Sequence, residues 1–362
     1  MPNYTYTHFI HENIAPSGAK RIGVYNDKGN KVCTIPLGNL APVQKTKLYS
    51  FAAIADVHIP SNTAVADLQN ALTFVENSDC TFTCIAGDLT NGGTDAQLKT
   101  FQNTAANYVK PIYAIPGNHE ATSGAIPFDR MTSYTGYPLY YSFGVRSDGT
   151  CEEMDVGARV DDGDAGGDDG DYGPIRGKTY GDSVKDVFIM VGHYKWTQKP
   201  FSLRELQWLS DTLERNKDKR CFVFTHVFPW GGAGNALGKY TENIWSGTRG
   251  TEFENLMKHY KNVTLFHGHS HFKLEYQEAD KTANYSSAQG YRSIHIPSIS
   301  VPRDILTDGT NNGDNYIADE PESEGYIVDV YDDCIVLNGR DFIDNDKNGH
   351  WIGIATYKID TT

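Results

Sequence analysis

The sequence predicts an α/β fold: a four-layer α/β/β/α sandwich of two mixed sheets flanked by helices, with a small β segment at the N-terminus. Three observations predict it. From Lys47 onward, strand-like apolar runs alternate with segments of helical spacing, and the last part of the chain is rich in strands. Strands supplied both early and late in a chain of 362 residues favour two packed sheets over one.

Residues 1–45 differ in pattern from the rest of the chain and are predicted to form the small β segment. The stretch RIGVYNDKGNKVCTIPLGN contains two short extended runs around an Asn-Asp-Lys-Gly turn, which is typical of a hairpin. Residues 46–362 are assigned to a single large domain. Two units of very different size are therefore expected.

The first half of this large domain alternates strands and helices. KLYSFAAIADVH is an apolar run that ends abruptly in polar residues, and AVADLQNALTFVEN has helical spacing. TFTCIAGD, DAQLKTFQNTAANYV and PIYAIPGN continue the series as strand, helix and strand. This alternation favours a parallel or mixed sheet with helices packed on its faces.

Residues 149–182 interrupt the alternation and are predicted to be an acidic surface insertion. Their segment VDDGDAGGDDGDYG has almost no apolar side chain to bury, and its carboxylates repel one another. After it, KDVFIMVG resumes the core, and Ser202 followed by Glu205 is a capping-box pattern that begins the next helix.

The rest of the chain returns to strands around one further helix. RCFVFTH and NVTLFHGHSH are predicted strands, with a helix around TEFENLMKHY between them. EGYIVDVYDDCIVLNG and HWIGIATYKID supply the late strands. These late strands are the ones expected to join the early ones in the two-sheet arrangement.

Composition bounds the function classes. Hydrophobic residues at 39% and charged residues at 22% are globular proportions, and six cysteines, several within apolar runs, are expected to be buried free thiols. A net charge of −14 argues against a field that grips nucleic acid or acidic membranes. The N-terminus lacks the basic start and apolar run of a secretory signal, and no apolar stretch approaches a spanning helix, so a cytoplasmic protein is expected.

Side chains able to bind metal follow five of the predicted strands. They are Asp56, His58, Asp88, Asn118, His119, His226, His269 and His271. Since ligands bind beyond the carboxyl ends of the strands in open α/β sheets, we expect these side chains to converge on one crevice. Carboxylate, amide and imidazole donors together favour Mn, Fe or Zn over calcium, which prefers oxygen alone.

Five sequence blocks carry these residues, and their order, strand context and spacing closely resemble the calcineurin-like metallophosphoesterase family. The blocks are ADVH, AGDLT, PGNHE, FTH and GHSH. The resemblance covers roughly Leu48 to the end of the chain, and it implies that residues 46–362 are a metallophosphoesterase catalytic domain. It implies hydrolysis of a phosphate monoester or diester at a site that holds two divalent or trivalent metal ions, with a phosphorylated small molecule or a phosphodiester as substrate.

The resemblance also implies a role for each residue. The ligands of the first metal would be Asp56, His58 and His271. Those of the second metal would be Asn118, His226 and His269. Asp88 would bridge both ions, and His119 would contact the phosphate and protonate the leaving group. Two cations about 3.5–4 Å apart lower the pKa of a shared water, so that a metal-bridging hydroxide is the expected nucleophile, and a titrating imidazole is a suitable acid.

Neighbouring residues receive lesser roles. Gly87, Gly117 and Gly268 each precede a predicted ligand at a tight strand exit, where backbone freedom or a close approach is needed. His267 has no metal position left to it and is assigned a structural or supporting role. His193 and Tyr194 are more often packing residues than pocket residues, and the isolated arginines Arg249 and Arg303 are more often solvated than phosphate-binding.

Two other hypotheses remain open from the sequence. The chain could be a metal-stabilised, non-catalytic binding or structural module that docks through its N-terminal β segment; the complete ligand set counts against this interpretation. Alternatively, the same metals could serve the cleavage of a pyrophosphate or a sugar-nucleotide linkage, which the blocks do not exclude. Substrate choice depends on loops that vary independently of the metal ligands.

Overall fold

A computed structural model describes most of the chain. The described residues are 21–25, 31–36, 46–61, 63–121, 128–156, 176–193, 200–227, 233–234, 248–274, 285–287, 290–305, 316–317, 322–343 and 356–361. Contacts divide the chain into two units, Met1–Thr46 and Lys47–Thr362. In the first unit, β1 (Arg21–Tyr25) pairs antiparallel with β2 (Lys31–Pro36), and the predicted turn between them lies outside the described residues.

One sheet of the second unit has six strands and joins early and late parts of the sequence. In spatial order they are β17 (Thr356–Asp360), β16 (Cys334–Asp341), β15 (Glu324–Val330), β3 (Tyr49–Ile54), β4 (Cys80–Ala86) and β5 (Ile112–Ile115). β3, β4 and β5 are parallel, whereas β15, β16 and β17 are antiparallel to their neighbours. The sheet is therefore mixed, as predicted.

The other sheet has seven strands and is also mixed. In spatial order they are β11 (Tyr285–Ser286), β12 (Arg292–His295), β10 (Val263–His267), β9 (Arg220–Phe224), β8 (Val184–Val191), β6 (Tyr140–Arg146) and β7 (Asp155–Val156). β8, β9, β10 and β12 run parallel. β13 (Asp304–Ile305) and β14 (Tyr316–Ile317) form a separate two-stranded sheet.

Six helices are described. They are α1 (Ala64–Glu76), α2 (Asp95–Ala105), α3 (Asn118–Ala121), α4 (Phe128–Thr135), α5 (Leu203–Arg215) and α6 (Thr248–His259). The predicted capping box at the start of α5 is confirmed: Ser202 Oγ accepts from the Glu205 backbone N–H at 3.1 Å, and Glu205 Oε2 accepts from that of Ser202 at 2.6 Å. None of the helices in this part of the chain has the length and apolarity to cross a membrane.

Strand alternation explains how the layers are held together. Phe51 points into the apolar layer between the two sheets, while its neighbour Ala52 faces the layer with α1 and α2. On β8, Phe188 points inward and Ile189 faces the layer with α5 and α6. Phe51 and Phe188 meet edge to face at 5.1 Å, and burying each such ring contributes roughly 1.5–3 kcal/mol. The predicted four-layer sandwich is confirmed.

The described residues at the two ends of the predicted acidic insertion, residues 149–182, pack with the rest of the fold. Near its beginning, β7 pairs with β6 in the seven-stranded sheet. Near its end, Tyr180 is 3% exposed and packs in the apolar layer between that sheet and the helices α5 and α6. Residues 157–175, which carry the acidic run, lie outside the described part. Among the described side chains, Cys80, Cys84 and Cys221 are buried free thiols, as predicted.

Candidate metal centre

The candidate site lies where the carboxyl ends of parallel strands from the two sheets meet. Within one sheet, the backbone N–H of Asp56, after β3, donates to Gly87 O at 3.1 Å, after β4. Within the other, the N–H of Gly268, after β10, donates to His226 O at 3.0 Å, after β9. The backbone N–H of His269 then donates to Asp56 Oδ2 at 3.0 Å and joins the two pairs of loops.

Six of the eight predicted site residues form two buried clusters. The first cluster comprises Asp56, His58, Asp88 and His271, and the second comprises Asp88, His226 and His269. In each cluster the candidate ligand atoms lie within 4.8 Å of one another. Asp88 belongs to both clusters, so its carboxylate lies between two groups of metal-capable donors.

Donor spacing in the first cluster suits one ion. His58 Nε2 lies 3.1 Å from His271 Nε2, which is 3.0 Å from Asp56 Oδ1. His58 Nε2 is also 3.6 Å from Asp88 Oδ2. Two donors bound to the same ion at about 2.0–2.2 Å are themselves roughly 3–3.5 Å apart, so these contacts match a shared ligand sphere.

The second cluster has similar spacing and contacts the same oxygen of Asp88, Oδ2, as the first cluster does. His226 Nε2 lies 3.1 Å from His269 Nδ1 and 3.0 Å from Asp88 Oδ2. Asn118 is 3% exposed and begins α3, directly beside His119, whose backbone N–H donates to Asp88 Oδ1 at 2.9 Å. The loop that carries Asn118 therefore packs against the carboxylate shared by both clusters.

The outer ring nitrogens of two candidate ligands are fixed by carbonyl oxygens. His226 Nδ1 lies 2.8 Å from Ala86 O, and His271 Nδ1 lies 3.0 Å from Val301 O. A carbonyl only accepts, so each Nδ1 carries the hydrogen and each Nε2 faces the cluster. Metal-binding histidines are commonly oriented in this way.

Backbone strain is concentrated on the same residues. The described residues include five non-glycine positions with positive φ, and all five are predicted ligands. They are Asp56 (56°), His58 (53°), Asp88 (49°), His269 (80°) and His271 (63°). Such conformations cost about 1–3 kcal/mol each and persist where surrounding structure enforces them, commonly at functional sites.

The three glycines that precede predicted ligands each lie against a ligand from another loop. A Cβ atom on any of them would meet that ligand's side chain closer than 3.0 Å. The pairs are Gly87 with His226, Gly117 with Asp88, and Gly268 with Asp56. The close approach expected from the sequence is therefore present, and glycine is required because no side chain fits.

Burial and opposite charge act against each other in the clusters. Burial alone would raise the pKa of Asp56 and of Asp88, but neighbouring imidazoles outweigh it and hold both pKa values well below their usual range. Burial lowers the pKa of His226, yet Asp88 and Asp56 together raise it to about 9. For His271, burial prevails and its pKa falls to about 3.

His119 differs from the other predicted site residues because its side chain is 31% exposed. Its Nδ1 is 2.9 Å from Asn91 O, so the Nδ1 hydrogen is donated there. Its Nε2 is 3.9 Å from Asp88 Oδ2, and its ring meets that of His58 edge-on at 4.7 Å. His119 thus borders the clusters without belonging to them, on their solvent side.

Glu120, which was not among the predicted site residues, ties two of the ligand loops together. Its Oε1 accepts from the backbone N–H and the hydroxyl of Thr90, both at 2.7 Å, and its Oε2 accepts from Gly117 N–H at 2.8 Å. Burial, and then the charge of Asp88, raise the pKa of Glu120. A charged residue inside the PGNHE block was the available signal.

His295 was also missed, and it supports the GHSH loop from behind. Its Nε2 lies 2.9 Å from the Oγ of Ser270, the residue between the ligands of that loop. His267 lies outside both clusters, with its Nε2 2.9 Å from Ser293 Oγ. Burial lowers the pKa of both rings, that of His295 to about 3, so both are neutral supports.

The two arginines of interest have different surroundings. Arg249 pairs with Glu252 within α6, at 3.2 Å. The backbone N–H of Arg303 donates to His271 O at 2.9 Å, and its charge contributes to the lowered pKa of that imidazole. His193 is buried, with its backbone N–H donating to a carbonyl of the PGNHE loop, and Tyr194 lies outside the described residues.

Comparison with known proteins identifies the family to which the chain belongs. A family model described as calcineurin-like phosphoesterase matches residues 49–273, which is more than half of the chain and includes all five blocks. The chain belongs to the calcineurin-like phosphoesterase family. This membership confirms the predicted enzyme class, a phosphoric ester hydrolase of the metallophosphoesterase type, and the two clusters form a possible dimetal site. A search of curated proteins returned no match.

Solved structures share the fold at low sequence identity. A dimetal phosphatase from Danio rerio has a TM-score of 0.53 and 13% identity, covering 88% of this chain and 100% of its own. GAP50, described as the anchor in the inner membrane complex of Plasmodium, has a TM-score of 0.50 and 12% identity, covering 86% and 88%. Purple acid phosphatase PPD1 from yellow lupin has a TM-score of 0.50 and 12% identity, and the match covers 94% of this chain and 59% of its own.

Proposed function

We propose that this calcineurin-like phosphoesterase hydrolyses a phosphate monoester or diester of a small molecule at a dinuclear metal site. The single observation that carries the proposal is the pair of clusters that share Asp88, in which five of the six residues have strained backbone conformations. Bound cations would polarise the phosphoryl group and supply a hydroxide nucleophile at neutral pH. Imidazole, carboxylate and amide donors fit Mn, Fe or Zn.

The ligand roles in this proposal follow the two clusters. Asp56, His58 and His271 would hold the first ion, and Asn118, His226 and His269 would hold the second. Asp88 would bridge the two ions, a role supported by its contacts with His58 at 3.6 Å and His226 at 3.0 Å. The negative charge of this carboxylate offsets repulsion between two dications.

His119 is proposed as the general acid. Because Asn91 O accepts the hydrogen of Nδ1, Nε2 is the atom left to donate a proton to the departing oxygen. When the phosphorus–oxygen bond to the alcohol breaks, that proton neutralises the alkoxide and leaves the imidazole neutral. Its partial exposure beside buried ligands is consistent with a position that contacts substrate.

The test is turnover combined with metal content. We expect Mn-loaded protein to bind two ions per chain and to hydrolyse p-nitrophenyl phosphate or its bis-diester. His119→Asn should keep both ions and reduce turnover of an alkyl phosphate by about 10²–10⁴-fold. The loss should be smaller for nitrophenyl esters, because that leaving group needs little protonation.

A matched control is His259→Asn, on α6 and outside both clusters, which should leave turnover unchanged. Protein that binds two ions and hydrolyses neither class of ester would refute the proposed reaction. An equal loss for His119→Asn on both leaving groups would refute the acid role alone.

A further inference from the structure

The segment that follows β12, residues 296–303, lies beyond the residues matched by the family model, yet it contacts the candidate site. We name it the brace segment. It contacts the loop after β3, where Asp56 and His58 have positive φ, and the loop after β10, where His271 does. These three residues are the ones proposed to hold the first ion.

Toward the loop after β3, the brace segment offers two hydroxyl groups to two consecutive carbonyls. Ser298 Oγ donates to Asp56 O at 2.8 Å, and Ser300 Oγ donates to Val57 O at 2.6 Å. The backbone N–H of Ile299 donates to the preceding carbonyl, that of Ala55, at 3.1 Å. Three successive carbonyls of the strained loop are thus held by three successive residues.

Toward the other loop, the brace segment fixes the ring and backbone of one histidine. Val301 O accepts from His271 Nδ1 at 3.0 Å, and Arg303 N–H donates to His271 O at 2.9 Å. Ser298 Oγ also accepts from the backbone N–H of Val301 at 2.9 Å. One buried hydroxyl therefore connects the backbone that presents Asp56 with the carbonyl that orients His271.

The ring of the proposed second-ion ligand His226 has a different support. Its Nδ1 is oriented by Ala86 O, a carbonyl at the end of β4, at 2.8 Å. Loss of a brace hydroxyl therefore acts on the first cluster, while the support of His226 is retained. This asymmetry separates a positioning effect from general destabilisation of the fold.

We infer that Ser298 and Ser300 are positioning residues that hold the backbone of residues 56–58, which is left-handed at Asp56 and at His58, and so set the affinity of the first ion more than that of the second. A left-handed conformation at Asp56 and His58 is held against its intrinsic preference, so removing donors to the adjacent carbonyls releases the loop. The inference rests on the proposed dinuclear site. It assigns a function to a segment that the family blocks do not include.

The experiment is a titration of the whole chain with Mn²⁺, in which binding is measured by calorimetry and by electron paramagnetic resonance. Ser300→Ala and Ser298→Ala should weaken one of the two Mn²⁺ equivalents about 10- to 100-fold, the usual loss when a supporting contact of a ligand is removed. The other equivalent should weaken much less, since the brace segment reaches its proposed ligands indirectly, through the hydrogen bond from the His269 N–H to the Asp56 carboxylate. At an intermediate Mn²⁺ concentration, wild type should give the spectrum of a coupled pair of ions, whereas each variant should give that of a single ion.

Two further variants keep the test decisive. Ser300→Thr retains the hydroxyl on a half-buried side chain and should bind both ions as wild type does. Ser50→Ala removes another buried serine hydroxyl, bonded to Asp329 at 2.6 Å at the opposite end of β3, and should leave both affinities unchanged.

The outcomes separate this inference from the proposed function. Wild-type protein that binds fewer than two ions would overturn both. Two ions bound by wild type, with unchanged affinities in Ser298→Ala and Ser300→Ala, would overturn the positioning role alone. Equal weakening of both ions would also overturn it, since it would indicate a general loss of structure.

Discussion

The two ends of the sheets both bury charged groups, but they balance them differently. At the end opposite the candidate site, Arg220 donates to both oxygens of Asp186, at 2.6 and 2.9 Å, and Tyr49 donates to the same carboxylate at 2.6 Å. A further N–H of Arg220 reaches Tyr331 O at 2.7 Å. This network joins the two sheets and neutralises its own charge.

At the end of the sheets that carries the candidate site, the side chains do not form an equivalent network of neutralised charges. Ring nitrogens of His58 and His271 face each other at 3.1 Å, as do those of His226 and His269, and three of these four histidines have positive φ. Such contacts are unfavourable if both nitrogens carry hydrogens. The comparison shows that buried charge alone does not mark a site, whereas metal-capable donors that converge on one another do.

The largest difference should appear when one carboxylate at each end becomes an amide. Asp88→Asn removes the charge shared by both clusters and should abolish binding of at least one ion, with activity lost by on the order of 10³-fold or more. Asp186→Asn should leave metal content and turnover per folded molecule near wild type. Metal analysis and kcat measurement check both, and equal activity losses would remove the distinction between the two ends.

The variant with the smaller effect on activity, Asp186→Asn, should have the larger effect on the free energy of unfolding. Asp186→Asn leaves the Arg220 guanidinium buried without its carboxylate, so the free energy of unfolding should fall by about 3–5 kcal/mol. Urea unfolding in excess chelator measures this without a metal contribution. Under those conditions Asp88→Asn should cost less, because the imidazole of His226 can lose its proton when the carboxylate is removed, whereas the guanidinium of Arg220 cannot.

Removal of bound metal should lower the free energy of unfolding by acting at the candidate site and not at the Asp186 network. Each ion present at 100 times its dissociation constant stabilises the folded state by about 2.7 kcal/mol, which chelation removes. Because the two ends are separate, this decrement should be nearly the same in wild type and in Asp186→Asn, within about 0.3–0.5 kcal/mol. Thermal unfolding with and without chelator tests it, and strong non-additivity would show that the ends are coupled.

The smallest effect concerns protons. Metal-free His226, with its pKa raised to about 9, is protonated at pH 7.5 and must lose that proton to bind an ion. His271, with its pKa lowered to about 3, has none to lose. Binding should therefore release protons near neutral pH, the one from His226 should no longer be released well above pH 9, and affinity should rise as pH rises. Calorimetry in buffers of different ionisation enthalpy measures the release; a buffer-independent heat would contradict it.

Much of the fold was predictable because local patterns agree with the final arrangement. The run before Asp56 is apolar on both faces because β3 is covered on both sides, and the Ser202 capping box is a purely local signal. β6 was missed although it pairs with β8 along its length. Its sequence YYSFGVR lies beside the acidic insertion, where strand and loop patterns merge.

The candidate site was predictable as a set of residues but not as a supported structure. Strand-end blocks named the donors, since each block is continuous in sequence. Glu120, His295 and Ser298 escaped because their roles depend on partners distant in sequence, such as the 242 positions between Ser298 and Asp56. Positive φ at Asp56 was equally hidden, because an aspartate carries no local signal for that conformation.

The glycines that lie against candidate ligands of neighbouring loops make the loops of the candidate site interlock. Gly117 leaves room for the carboxylate of Asp88, and Gly268 leaves room for that of Asp56. No single loop is therefore a portable module: transplanting the PGNHE loop into another scaffold would fail unless the loop that bears its partner carboxylate were transferred as well. Diversification in such a site is confined to outward-facing positions, which can change which molecules are accepted without disturbing the donors.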